Sequence, residues 1–588
     1  MHLRAVSLLA LLILSPSIYA QRKIVIGGQN DFEQLNATIK SELEDHDGDI
    51  EIVFLPGTYY YSNNHIQLGG YNKPNCRLII KAEGAKIISG GRWHRSGENY
   101  SGRFNEDNAF ITREGRLLPI WSPIKIADGK VEVLDETTKL CRVKCPGVKD
   151  VEEKACANLR IRIPHWFMMS KWVIDKISDG YIYFTVRDLR KMMPSGWYMN
   201  DDCNYAQVPN VRYSLCNDVA RPGRLSIVEG SVCLPEGVEE VYECVARQFM
   251  TIKDCVFKEV LISGLNVVGS SWYWTYLLDF DNVRTNAFLV KNSSFSCITG
   301  GVLSFNNTPN VTVTTCSFSD CYREGVRSDI GSSNMTVSNC TFERIGLAFE
   351  NTSAVCCQGE NYHIYNNSFK DYGYCAINVG YGRTRRESQI VSGIIEDNAI
   401  VFSKDYIRAY QDNMLMDGGA IYVMTQNDLA VIRNNYIDGH SGMMDNRGIF
   451  LDDGAYNVEI YGNLIINIEN SYCIDSRRVA GVETFGMRGE NVKRSNVNNK
   501  IFDNIVDGRI RFAAREGNDN GCELGANFFL LTRGEKMPEN DYFNIDATNK
   551  DVGIIYRGTK NNKIKIMSSD YKRIRNSSSW EALKKWIR

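Results

Sequence analysis

The sequence lacks several features that common function classes require. Its charges nearly cancel: 68 Lys and Arg face 70 Asp and Glu, a formal net charge of −2. A protein that coats nucleic acid needs a net basic surface, so nucleic acid is not an expected partner. Beyond the first twenty residues no uninterrupted apolar run reaches membrane-spanning length, so no membrane insertion is expected. There is no Gly-x-Ser-x-Gly nucleophile turn and no phosphate-cradling glycine loop. No two close cysteine pairs have the separation of a zinc site, and no structural metal is expected. With 43% hydrophobic and 23% charged residues the chain is nonetheless ordinary globular material.

The first twenty residues, MHLRAVSLLALLILSPSIYA, have the layout of a secretory signal peptide. A basic start at Arg4 precedes an apolar stretch from Ala5 to Leu14 and a small residue at Ala20. No cysteine precedes Cys76, which argues against a lipoprotein anchor. The mature chain is expected to start near Gln21 and to be secreted or periplasmic. In an oxidising compartment the 18 cysteines become candidate disulfides. Cys233 with Cys244, or Cys203 with Cys216, sit at spacings that a hairpin could bridge.

A repeat decides the fold class. Alternating apolar residues lead to a small polar residue in VTVTTCSF at Cys316 and MTVSNCTF at Cys340. The same pattern recurs at Asn367, Asn398, Asn435, Asn463 and Asn504, with a last copy at Asn527 and an early one, TIKDCVF, at Cys255. The spacing runs from 24 residues (340 − 316) to 41 (504 − 463). A minimum near two dozen, stretched by insertions, is the signature of a solenoid. Period-2 alternation rich in Val, Ile, Tyr and Phe specifies strands, which bury their apolar faces only by stacking coil on coil. The expected fold is all-β, a right-handed parallel β-helix with an interior Asn row in which Cys255, Cys316 and Cys340 stand in.

The expected organisation is a signal peptide over 1–20, an N-terminal cap and first coils over 21–95, and a β-rich insertion over 96–245. The β-helix then runs over 246–530, and a C-terminal coil and cap over 531–588. In the insertion, RIRIPHWFMMSKWVIDKISDGYIYFTV alternates like antiparallel strands. Near the end, SSSWEALKKWIR is expected to form a short amphipathic helix that covers an open coil.

On Leu55-Pro56-Gly57-Thr58-Tyr59, the coil repeats, and the segments Asp417–Val423 and Gly448–Gly454, the chain resembles the pectate-lyase-like superfamily of right-handed β-helix proteins. More narrowly it is similar to secreted Bacteroidetes polysaccharide-degrading enzymes of the glycoside hydrolase type. The resemblance implies a glycan groove along one sheet, walled by loops between strands. The longest gaps between repeats, 398 to 435 and 463 to 504, then mark the cleft.

Acids cluster there: Asp417, Asp452 and Asp453, with Asp438, Asp445, Glu469 and Asp475 nearby. On adjacent coils, Asp417 and the Asp452–Asp453 pair would lie roughly 5–10 Å apart, a separation at which two carboxyls share glycosidic chemistry. Asp417, Asp452 and Asp453 are therefore the candidate general acid and nucleophile or base. Alternation lets only one of Asp452 and Asp453 face outward, and Asp452 is favoured because Ile449 and Leu451 then share the interior. Asp-Asp-Gly is equally an ordinary turn signal. His440, Arg447, Tyr422, Trp166 and Arg477 are candidate substrate-binding residues, with Arg478 in support, and Trp272 and Trp274 could form a sugar platform.

The expected activity is that of a glycoside hydrolase acting on a polysaccharide or oligosaccharide, as a monomer without a cofactor. A polysaccharide lyase is the alternative enzyme, with the same acids holding Ca2+ and Arg447 or His440 as base. A non-catalytic glycan-binding surface protein is the alternative of a different class.

Overall fold

A computed structural model of the protein describes residues 21–100, 108–118, 124–125, 131–144, 160–165, 168–186, 212–214, 225–228, 231–271, 274–329, 331–347, 352–380, 391–403, 418–424, 429–439, 447–452, 455, 457–468, 471–476, 498–513, 522–525, 527–531, 536, 541–543 and 552–556. Three short strands make each turn of the coil. Gly301–Asn306, Val311–Thr314 and Ser317–Cys321 form one turn, and Val326–Ser328, Thr336–Ser338 and Thr341–Ile345 form the next. Each strand pairs in parallel with its counterpart one turn on: Leu303 with Val326, Thr312 with Thr336, Phe318 with Phe342. The stacking continues to Asp541–Phe543 and Val552–Tyr556. The fold is a right-handed parallel β-helix.

The first and second sheets merge where the long strand Met250–Ser263 pairs with both Tyr276–Arg284 and Ala287–Lys291. The third sheet holds 13 strands. One interior core runs from Ile26 to Leu531. It includes a stack of Phe295, Phe318, Phe342 and Phe369 with ring centroids 5.3, 4.7 and 4.8 Å apart. Those distances match the strand spacing, as a side chain repeated at one place in every coil requires.

The Asn row lies at the bend between the second and third sheets. Each Asn Nδ2 donates to the Oδ1 of the next: Asn367 to Asn398, Asn398 to Asn435 and Asn435 to Asn463 at 3.0 Å, Asn463 to Asn504 at 2.9 Å, and Asn504 to Asn527 at 3.0 Å. The residue before each adopts positive φ, which Asn, Asp and Gly tolerate best: Asn366, Asp397, Asn434, Gly462 and Asp503. Cys316 and Cys340 belong to this row, and Ser293 Oγ precedes them by accepting from Leu265 N. Cys255 does not belong to it. Its register partner is Val283, whose N–H donates to Thr308 Oγ1, so Cys255 lies at the bend between the first and second sheets.

The N-terminal coil is closed by the only helix among the described residues, Gln29–Asp45, which sequence reading missed. Its signal is present: Phe32, Leu35, Ile39 and Leu43 fall at helical spacing and are the helix's buried residues. Within residues 96–245 the strands Arg160–His165, Met168–Ser178 and Tyr181–Thr185 pair antiparallel. A separate three-stranded sheet, Gly91–Arg95, Glu240–Cys244 and Ala109–Thr112, ties this region to the coil. Cys233 and Cys244 carry free thiols, so the proposed bridge between them is not formed; Cys244 is buried against Gly269 instead. Cys203 and Cys216, and the helix expected near residue 580, lie outside the described residues.

Candidate active site

The outward side chains of the first sheet form one continuous stripe. Parallel register places Ser304, Arg327, Cys356, Asn378, Tyr422, Phe450, Asp475 and Arg511 on successive rungs, each about 4.8 Å from the next. Alternation puts them there. Ile377 and Val379, Ile421 and Val423, and Ile449 and Leu451 all enter the interior core, so the residues between them turn outward. Tyr374, Cys375, Tyr422 and Phe450 form a small apolar cluster apart from that core. The strands Cys375–Val379, Arg447–Asp452 and Tyr472–Ser476 are buried on both faces, and so is Gly419–Met424 except at Met424. Along these four strands the stripe is shielded from bulk water, whereas Arg327 before them and Arg511 after them are half-buried.

Asp452 ends its strand on the outward side, two residues beyond Phe450. The residue is 4% exposed, and Tyr422 Oη donates to Oδ2 at 2.7 Å. One rung further on, Asp475 is wholly buried and accepts from two arginines. Arg447 Nε donates to Oδ2 at 2.8 Å, and Arg511 donates from Nε to Oδ1 at 2.6 Å and from Nη2 to Oδ2. The Arg447 guanidinium also lies 4.0 Å from the centre of the Phe450 ring. Arg509 and Arg511 both stand 4.5 Å over the Tyr472 ring, and Arg509 Nη2 donates to its hydroxyl at 3.1 Å.

A second polar group, not singled out from sequence, occupies the earlier rungs. Arg323 Nη2 donates to Tyr276 Oη at 3.2 Å, and its Nε lies 3.1 Å from Glu324 Oε2. Arg327 donates to Asp329 Oδ1 from Nε and Nη2 at 3.1 and 3.0 Å and approaches Glu324 at 3.6 Å. Burial pushes the Glu324 carboxyl up, but the two guanidiniums outweigh it and hold the group below its usual range. Burial likewise raises the Tyr276 hydroxyl, and it takes the Cys356 thiol to about 11. The signal for this group lies in CYREGVRSD, where charged residues interrupt a strand repeat.

The structure thus brings together Tyr422, Asp452, Arg447 and Asp475. Arg447 is enclosed and engaged by Asp475 and Phe450, so it supports the sheet rather than facing solvent. Asp438 belongs to the third sheet, paired with Tyr436 and Asn467, away from the stripe. Trp274 is 67% exposed. Asp417, Asp453, His440, Arg477, Arg478, Trp166, Trp272, Asp445 and Glu469 lie outside the described residues. Among the described residues no group of three or more His, Cys, Asp or Glu side chains is placed to hold a metal ion.

A family profile described as "Right handed beta helix region" matches residues 245–395. No curated protein matches the chain by sequence. Among solved structures, one described as a glycoside hydrolase is 12% identical, with 89% of this chain and 96% of that chain covered and a TM-score of 0.48. The complex of XylC with xylose is 10% identical, with 90% and 87% covered and a TM-score of 0.38. The A-module of the Azotobacter vinelandii mannuronan C-5 epimerase AlgE4 is 13% identical, with 53% and 83% covered and a TM-score of 0.29. At these TM-scores the three likenesses carry no argument about chemistry or substrate.

Proposed function

We propose that this protein is an exported carbohydrate-active enzyme, a glycoside hydrolase whose glycan lies along the outward stripe of the first sheet. The observation that carries the reading is the enclosed pair of Tyr422 hydroxyl and Asp452 carboxylate, 2.7 Å apart, beside an arginine-held second acid. A carboxylate fixed by a phenol hydroxyl in a water-poor setting suits a nucleophile or general base, because interactions with developing charge are stronger there. Asp417 or Asp453 would supply the general acid, with His440, Arg477 and Trp166 contacting the sugar. No cofactor is needed for this chemistry, and the enzyme works as a monomer.

A lyase is the second reading, and one observation favours it: Tyr472 lies beneath two guanidiniums and accepts a hydrogen bond from one. The phenol could serve as base and the guanidiniums beside it as carboxylate neutralisers in β-elimination. One experiment separates the readings. The purified protein is incubated with a panel of neutral and uronic-acid polysaccharides, and products are scored for new reducing ends and for ultraviolet-absorbing unsaturated ends. The hydrolase gives the first alone, and Asp452→Asn lowers kcat by about 10²–10⁴-fold with the fold intact. Unsaturated products would establish the lyase, and neither product would leave a glycan-binding protein.

A further inference from the structure

We propose that Asn378 is a sugar-binding residue whose amide holds a hydroxyl of a neutral glycan unit, beside the unit attacked at Asp452. This rests on the groove reading above and names the substrate class of that same site.

Asn378 points outward from the Cys375–Val379 strand, between Cys356 and Tyr422 on the neighbouring rungs. It is 3% exposed, and its Oδ1 is enclosed without a hydrogen-bond partner. Leaving a buried amide oxygen unmet destabilises the fold, and an apolar residue would fit the strand without that cost. Unmet polar groups inside native proteins are rare and call for a reason. Here the amide is one rung from Tyr422, whose hydroxyl holds Asp452, and two rungs from Arg327. A ligand hydroxyl lying along the stripe would donate to Oδ1.

Charge selects between sugar classes. On the Arg327 side the two guanidiniums of Arg323 and Arg327 are met by the two carboxylates of Glu324 and Asp329. The arginines beyond Phe450 are turned to Asp475 and Tyr472. A uronate or sulfate seated at Asn378 would be buried beside groups already engaged with one another, at a high desolvation cost. A hydroxyl avoids that cost. The ligand unit is therefore an uncharged sugar.

The test uses the full-length protein and the variant Asn378→Leu, similar in volume and apolar. Binding is measured calorimetrically against xylo-, gluco-, manno- and galacto-oligosaccharides from disaccharide to hexasaccharide, with oligogalacturonides of the same lengths. The expected result is that the best-bound probe is a neutral oligosaccharide. Asn378→Leu weakens it about tenfold, one lost hydrogen bond, while raising the thermal midpoint because the unmet oxygen is gone. Asn378→Asp keeps an acceptor and recovers part of the affinity. Preference for oligogalacturonides, no binding of any neutral probe, or unchanged affinity in Asn378→Leu would each overturn the proposal. So would a lowered midpoint with unchanged affinity, the signature of a structural amide. Loss of binding in Asn378→Leu with full turnover in Asp452→Asn would instead remove the catalytic assignment and leave the amide site standing.

Discussion

The Tyr422–Asp452 contact is a single 2.7 Å hydrogen bond, yet it is made where both groups are nearly solvent-free. A donor to a charged acceptor is worth about 1.5–3 kcal/mol, and its removal weakens the hold on the carboxylate. Tyr422→Phe should lower kcat about tenfold or more while KM stays within about threefold, because orientation is lost while the volume of the side chain is kept. A KM effect alone would make Tyr422 a binding residue. Glu243 shows what such contacts do for folding. It accepts from Tyr100 Oη at 2.6 Å, Asn108 Nδ2 at 2.7 Å and Arg92 Nε at 3.0 Å, and His94 Nε2 lies 2.8 Å away. Burial pushes this carboxyl up, but the hydrogen bonds outweigh it and hold the group below its ordinary 4.5. A depressed carboxyl stabilises the fold above its unfolded value, and the benefit fades as pH falls through the folded value. Wild-type protein should lose thermal stability below about pH 4.5 more steeply than Glu243→Gln, which starts less stable at neutral pH. Parallel melting curves across that range would remove Glu243 from the acid transition.

At the scale of the element, the bend between the second and third sheets has two chemical parts: a positive-φ residue and an Asn that bridges the coils before and after it. Asn435 illustrates the load. Its Nδ2 donates to Asn463 Oδ1 and to the carbonyls of Ile395 and Arg433, and its Oδ1 accepts from Asn398 N and Nδ2. Asn435→Ala strands several buried polar groups at once and should cost about 3–5 kcal/mol in urea unfolding. Asn527, the last member of the row among the described residues, should cost less under the same change because Val552 stands opposite it on the next coil. Equal costs would mean that the row acts residue by residue rather than as a chain. This bend was legible in the sequence because a coil repeats one environment at one position, so composition there carries information from every turn. Cys255 misled because it follows a positive-φ residue, Asp254, in the same local pattern at a different bend; only cross-coil register separates the two. The site was less legible for a related reason. Alternation placed Asp452 outward, but nothing local says that Tyr422 lies one coil back within reach of it. Nor does it say that Arg447 is taken up by Asp475, or that Glu324 and Asn378 share the stripe. Those neighbours are set by the lengths of the loops between strands, which carry no periodic signal.

At the scale of the whole molecule, a solenoid's weak points are its ends, where an unpaired coil exposes raw backbone and apolar interior. The N-terminal end is closed by the Gln29–Asp45 helix, which lays Phe32, Leu35, Ile39 and Leu43 over the first coil. Phe32 is the centre of that contact. Its ring stacks on His65 at 3.9 Å and meets Tyr59 at 5.4 Å and Phe54 at 5.8 Å, and its carbonyl accepts from His65 Nε2 at 2.8 Å. Phe32→Ala should remove about 3–5 kcal/mol from the stability of this end. Coils interact chiefly with their neighbours, so the loss should stay local. Hydrogen exchange should then quicken in the strands Arg22–Ile26 and Ile50–Phe54 and stay unchanged in Gly419–Met424 and Arg447–Asp452, with turnover retained. An opened end would also offer its edge to a second molecule, and light scattering should show concentration-dependent association that wild-type protein lacks. Uniform exchange along the coil would mean instead that the molecule unfolds as one cooperative unit, and that the helix stabilises the distant site as much as the coil it covers.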